Sequence, residues 1–210
     1  MSDKIFLGLD LGQAQDFSAL ARLDRPLALP KQRPTYRMNA LHRWPLGTPY
    51  TAVSAAVAKM LQLPAYTKAV LAVDHTGVGR PVMEMLFDEL KRIKFGGFVV
   101  PITITAGQTV THLDGGAKRV PKRELVSVLQ VLLQSKRLQI PRTLELAQLL
   151  VKEMANFKVK ITESANETFN AREGTHDDLV LATALAAWCG ELALPRWTDA
   201  TTASEHIVYT

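Results

Sequence analysis

The feature that most constrains the fold is a helix-length apolar run near the C-terminal end of the chain, opened by two acids. In residues 172–188, REGTHDDLVLATALAAW, the adjacent Asp177 and Asp178 precede a stretch from Leu179 to Trp188 that is almost entirely apolar. A helix with no polar face is buried on most sides, so this pair stands at the entrance to the core. Carboxylates held against apolar surroundings are costly unless a cation, water or a helix N-terminus compensates them. Taken alone, the pair is also explained by capping, with Asp177 as N-cap and Asp178 on the helix dipole.

The rest of the chain must supply the core that this helix enters. Its 210 residues, 47% hydrophobic and 21% charged, suffice for one domain with a full-sized core. We assign that domain to residues 1–194 and a polar tail to 195–210. Residues 4–11 alternate, with Ile5, Leu7, Leu9 and Leu11 on one face and Phe6, Gly8 and Asp10 on the other. Asp10 thus points into a face that is otherwise apolar or empty. Residues 17–23 and 36–44 read as two further strands, and the short proline-marked connection between them favours an antiparallel meander. Residues 48–63 follow helical periodicity. The run KAVLAV at 68–73 has the pattern of a central strand covered on both faces, and it ends in Asp74. A glycine turn leads from there into a helix starting near Pro81. Residues 98–105 form another strand, 106–120 a polar loop, and Pro121 to Gln134 an amphipathic helix. Residues 143–155 read as a helix and 157–162 as an edge strand. Strands in a meander, then strands alternating with helices, imply an α/β domain with a mixed sheet flanked by helices.

Three acidic sites, Asp10, Asp74 and the Asp177/Asp178 pair, therefore lie in or at the ends of buried elements. Each has an ordinary alternative as a turn former or a cap. Together they are expensive unless they share a function, and converging carboxylates bind hard divalent cations through oxygen. Two such ions can clamp a phosphodiester for in-line attack by water. The net charge of +5 is mild. Its distribution is not: Lys118, Arg119, Lys122, Arg123, Lys136, Arg137 and Arg142 face a single acid, Glu124, within 26 residues of chain. Such a patch suits a phosphate backbone. Arg80, in the GVGR turn at 77–80, and Arg172 are further candidate phosphate contacts.

Other chemistries find little support. His42, His75, His112, His176 and His206 show no metal-ligand spacing, although His75 and His176 each adjoin a candidate acid. Cys189 is the single cysteine, which excludes a disulfide framework and a cysteine-based zinc site. No nucleophile elbow surrounds any serine, and no Walker A pattern is present. The N-terminal residues lack a basic-then-apolar leader and no apolar run could span a bilayer, so the chain reads as a soluble, cytoplasmic protein with no membrane partner.

Four segments carry a resemblance: GLDLGQAQDFSAL (8–20), AVDHTGVGRPVMEML (72–86), VPKRELVSVLQVLLQSKRLQIP (120–141) and TESANETFNAREGTHDDLVLATALA (162–186). In order and spacing they resemble the nuclease domain of phage large terminase subunits. The resemblance implies an RNase H-like fold with a mixed five-stranded sheet, close to the Holliday-junction resolvase branch. It further implies cleavage of concatemeric phage DNA during packaging, in the host cytoplasm, with two Mg²⁺ or Mn²⁺ ions. By position it makes Asp10 the ligand of the first strand, Asp74 that of the fourth, and Asp177 with Asp178 the acids of the last helix. Of that pair we favour Asp178 as the direct ligand and Asp177 as its support. Lys118, Arg119, Lys122 and Arg123 are then expected to hold double-stranded DNA without reading bases. Large terminase subunits also carry an ATPase motor and act with a small subunit and a portal. We find no motor sequence here, which implies a separate nuclease domain or a stand-alone relative whose motor is another chain. Three other readings stay open: a resolvase-like nuclease, a non-catalytic DNA-binding or assembly module of the same fold, and a sugar-kinase or actin-like ATPase using the DLG at 10–12. The last lacks the hydroxyl and lysine of such phosphate loops and is too short for two lobes.

Overall fold

Alternation in the first strand separates two cores. The computed structural model describes residues 3–12, 16–27, 32–163 and 176–192, with backbone alone for 158–163. Strand β1 (Lys4–Asp10) lies in the middle of the sheet, antiparallel to β2 (Ala19–Arg25) and parallel to β4 (Val70–Asp74). Its residues Ile5, Leu7 and Leu9 join Leu71 and Val73 of β4 in one core, closed by helices α1 (Tyr50–Leu61) and α2 (Arg80–Arg92). On the opposite face, Phe6 and Ala72 belong to a second core with helix α5 (Asp178–Leu192).

The full sheet runs β6-β7-β5-β4-β1-β2-β3-β8. Here β3 is Tyr36–Arg43, β5 Phe98–Thr105, β6 Thr111–His112, β7 Lys118–Pro121 and β8 Leu138–Gln139. Strands β1, β2 and β3 form the expected antiparallel meander, whereas β4, β5 and β7 continue in parallel from β1. The sheet has eight strands where sequence led us to expect five. Two of the additional strands, β6 and β7, arise within the expected polar loop, and β8 pairs with the start of β3. They have two to four residues each, too few for alternation to announce them.

A second difference concerns residues 157–162, which do not form an edge strand. They belong to helix α4 (Ala147–Glu163). Buried Ala147, Leu150, Glu153 and Phe157 recur at helical spacing, and no proline or glycine interrupts the segment, so the helix propagates through the stretch that alternates by chance. Helix α3 (Lys122–Gln134) starts after Pro121 as anticipated and packs with α4 over α5.

Helix α5 is covered on nearly every side. Asp178 and eleven of the twelve residues from Leu179 to Gly190 are buried, and it packs on β1, β2 and β4. Gly8 makes the close approach possible. A Cβ on Gly8 would lie 1.9 Å from the carbonyl oxygen of Ala182 and 2.8 Å from the amide nitrogen of Ala186. Strand and helix backbones are therefore in direct contact, which only glycine permits. No helix among the described residues is long and apolar enough to cross a membrane.

Candidate metal centre

The Gly8 contact also brings together the acid-bearing ends of β1 and α5. Asp10 lies two residues beyond Gly8 on the same face of β1, and Asp178 lies one helical turn before Ala182 on the same face of α5. Asp10 and Asp74 are direct register partners at the C-terminal ends of neighbouring parallel strands. Both are 7% exposed and Asp178 is 4% exposed, so three carboxyl groups from three elements share one poorly hydrated corner.

The electrostatics agree with this placement. Burial, then Asp74, Asp178 and Asp177 in turn, hold the Asp10 carboxyl well above its ordinary value, while Lys122 acts in the opposite direction. Asp74 is likewise raised by burial, opposed by two hydrogen bonds from Thr76 and by the charges of His75 and Lys122. Its Oδ1 accepts the Thr76 amide at 2.8 Å, and the Thr76 hydroxyl also accepts the Ile104 amide, so the turn after β4 is pinned to β5. Asp74 thus does form the turn that its position in sequence suggested, while facing Asp10 as well. Asp178 is pushed up to about 6, mainly by burial and then by Asp177 and Asp16, with Arg43 and His176 opposing.

The adjacent acids divide. Asp177 precedes the helix, its backbone carbonyl accepts the Leu181 amide, and its carboxylate pairs with Lys122 Nζ at 2.9 Å. Asp178 turns inward. Its Oδ2 lies 3.7 Å from Arg43 Nη2 and 4.0 Å from His176 Nδ1, and it is buried without a hydrogen-bond partner among the described residues. A buried carboxylate oxygen in this state is where a bound cation fits the donor set, since such atoms otherwise find partners. Donor atoms of Asp16, His176 and Asp178 all lie within 4.8 Å of one another, and among the described residues this group does not include Asp10 or Asp74, which stand beside it at the strand ends.

Three residues of this corner, Arg43, Glu153 and Asp16, are not singled out by the sequence. Arg43 ends β3, and its guanidinium lies over the Phe17 ring at 3.5 Å and bonds Glu153 at 3.1 Å. Glu153, 5% exposed on α4, accepts the Leu179 amide at 3.1 Å and is pushed up to about 7 by burial. An acid on the apolar stripe of α4 was the available signal for Glu153. Asp16 gave no comparable signal, since a lone acid in a loop is ordinary.

The basic residues are distributed around the corner. Lys122 is engaged by Asp177, and its ammonium also sits 5.0 Å from the Phe157 ring centroid. Lys118 contacts His112 across the β6–β7 hairpin, Arg119 is exposed on β7, and Arg123 donates to the carbonyl of Gln108. Arg80 is exposed on the other side of the β4 turn and pairs with Glu84 at 2.7 Å. Arg137 is buried in an ion pair with Glu191, away from solvent. Arg172 and the polar tail at 195–210 lie outside the described residues.

Residues 7–188 match the family described as the terminase RNaseH-like domain. The chain belongs to that family. Among solved structures, it is similar to the human cytomegalovirus terminase nuclease domain, with a TM-score of 0.54 at 12% identity over 89% of this chain and 83% of that one. The manganese-soaked form of that viral domain gives 0.53 at 12% identity, over 89% and 82%. The manganese-bound large-terminase nuclease domain of bacteriophage SPP1 gives 0.44 at 14% identity, over 88% and 85%. No curated protein matches the chain. At these identities the structural likeness speaks for the terminase RNase H-like fold, and the family match covers Asp10, Asp74 and Asp178.

Proposed function

We propose that the chain is a divalent-metal-dependent DNA endonuclease of the terminase type. The observation that carries this reading is the corner itself: register-paired Asp10 and Asp74 at the strand ends, with Asp178 near enough to act on Asp10 and its buried Oδ2 lacking a hydrogen-bond partner among the described residues. A module needing only affinity for DNA gains nothing from three buried acids directed at a phosphate. The manganese-soaked cytomegalovirus domain, a nuclease of the same fold, supports the choice of cation.

In this reading Asp10, Asp74 and Asp178 hold Mg²⁺ or Mn²⁺, two ions in all, with Asp177 in support and Asp16 and His176 available at the edge. Divalent cations so held would offset the negative charge on the phosphoryl oxygens and ease ionisation of the attacking water. The chain's own contribution is positional. Close packing through Gly8 fixes α5 against β1, and the dry surroundings strengthen each charge interaction at the corner. Lys122 restrains Asp177, so that one acid of the pair is balanced while the other stays available. Exposed Arg119 and Arg123, with Lys118 and Arg80, hold the duplex by its phosphates. A terminase motor, small subunit and portal are the expected partners, and residues 1–194 the nuclease unit.

Plasmid incubated with Mn²⁺ tests the proposal. The protein should nick or linearise it, EDTA should stop the reaction, and Asp10→Asn should abolish it. Full activity of the Asp10→Asn variant would sink the assignment. Intact plasmid together with salt-sensitive DNA binding would identify a non-catalytic module instead.

A further inference from the structure

We propose that Glu153 is a positioning residue that acts on Asp178 through Arg43, holding the Arg43 guanidinium back from the Asp178 carboxylate so that this acid remains free for a divalent cation. The inference rests on the metal-dependent reading above and concerns two residues which that reading does not use.

One guanidinium lies between two buried carboxylates and favours one of them. Arg43 Nη1 is 3.1 Å from Glu153 Oε1, within hydrogen-bond reach, whereas Arg43 Nη2 is 3.7 Å from Asp178 Oδ2, beyond it. Both oxygens of Glu153 are committed: Oε1 to Arg43 and Oε2 to the Leu179 amide in the first turn of α5. Glu153 is thus fastened to the same helical turn that carries Asp178. Arg43 is confined from its other side by the Phe17 ring, 3.5 Å from the guanidinium carbon. As a result Arg43 Nε and Asp178 Oδ2 are both buried without hydrogen-bond partners among the described residues, although they belong to side chains of opposite charge in contact distance.

That arrangement is not what two such groups adopt when left to themselves. Arginine and carboxylate prefer a bidentate, charge-assisted pair, which is among the strongest side-chain contacts available. Were Arg43 to form it with Asp178, a cation would have to displace a buried arginine before binding. Glu153 prevents this by offering Arg43 a nearer and anchored partner. A bulge in β3 delivers the arginine to this place. Arg22 pairs with Ala40 and Leu23 with Met38, so Asn39 is the extra residue. From there on Leu41 and Arg43, opposite Ala21 and Ala19, face α5.

Calorimetric titration of Mn²⁺ into the whole protein, beside melting temperatures measured in EDTA, tests the inference without reference to cleavage. Glu153→Gln keeps an oxygen for the Leu179 amide and releases Arg43. It should bind Mn²⁺ ~10-fold more weakly, the usual scale for groups that orient metal ligands. Adding Arg43→Met should restore binding to the unsubstituted level. Arg43→Met alone should bind at least as tightly as the unsubstituted protein, and this variant carries the test if Glu153→Gln does not fold. A purely structural Glu153 predicts a lower melting temperature with unchanged Mn²⁺ affinity, or weakened affinity that Arg43→Met does not recover, and either result overturns the inference. Tenfold weaker binding by Arg43→Met alone overturns it too. Absence of Mn²⁺ binding by the unsubstituted protein removes the metal-dependent reading itself, and this inference with it.

Discussion

Gly8→Ala isolates the contact on which the whole corner depends. The added methyl would be 1.9 Å from the Ala182 carbonyl oxygen and 2.8 Å from the Ala186 amide. A tolerable carbon–oxygen contact is ~3.3 Å, so strand and helix must part by about 1.4 Å. Both obstructing atoms are backbone in a helix covered on nearly every side, and no rotamer change can relieve the clash. Overpacking of this kind costs ~1–3 kcal/mol, and the backbone nature of the clash argues for the upper end. For a chain of this length, ~3 kcal/mol lowers the melting temperature by roughly 6–12 °C. The same displacement carries Asp178, one turn from Ala182, away from Asp10. A 1 Å misplacement at a reacting centre costs on the order of 100-fold in rate. Thermal denaturation in EDTA and Mn²⁺-dependent plasmid nicking would read the two effects. A variant that melts within about 1 °C of the unsubstituted protein and nicks at its rate would refute the claim that this contact sets the site.

Three further outcomes are expected. Glu153 is raised from 4.5 to about 7, chiefly by burial and against the pull of Arg43. An acid with a raised folded pKa contributes stability below its unfolded pKa and loses it as pH rises through the folded one. The melting temperature of the unsubstituted protein relative to Glu153→Gln, both in EDTA, should therefore fall between pH 4.5 and about 7 and then level off. A difference that grows with pH would contradict it. Arg119→Ala should weaken DNA retention equally for unrelated sequences and reduce the salt dependence of binding by about one counterion, as measured by fluorescence anisotropy across a salt series. Cys189, buried in α5 with its thiol pushed up to about 12, should resist a thiol reagent at pH 8 in the native protein and react at once in denaturant.

The central part of this architecture was legible because period and composition coincide there. In β1 every second residue is Phe6, Gly8 and Asp10, so the strand face meeting α5 and the acid upon it could both be read. The apolar run after Asp178 left no alternative to a covered helix. What remained hidden was set by pairing over long distances. Strict alternation along β3 groups Arg43 with Arg37 and Asn39, and the Asn39 bulge alone moves it to the helix side. Strands β6, β7 and β8 exist because the edge of a larger sheet recruits them, and their own residues carry little preference. Alternation in FKVKIT at 157–162 is outweighed by the helix that reaches it from Ala147. Proximity of Asp16 and His176 to Asp178 depends on two chain segments meeting beside the sheet, which spacing cannot announce.

The two ends of α5 are held in different ways. At the C-terminal end Arg25 donates to the Gly190 carbonyl, while Arg137 makes a two-pronged pair with Glu191 and also bonds the Pro34 carbonyl. The Tyr36 hydroxyl completes that set by donating to Glu191 at 2.7 Å. Cations at a helix C-terminus and an acid in its first turn both favour the helix dipole. The N-terminal end is also held, by the Lys122–Asp177 pair and the Glu153–Leu179 bond, but it carries Asp178 with an oxygen that has no partner among the described residues. At 1.5 Å per residue the two ends are about 20 Å apart. The clamp around Glu191 therefore stabilises the fold through bonds at the far end of the helix, separate from the corner where the acids meet.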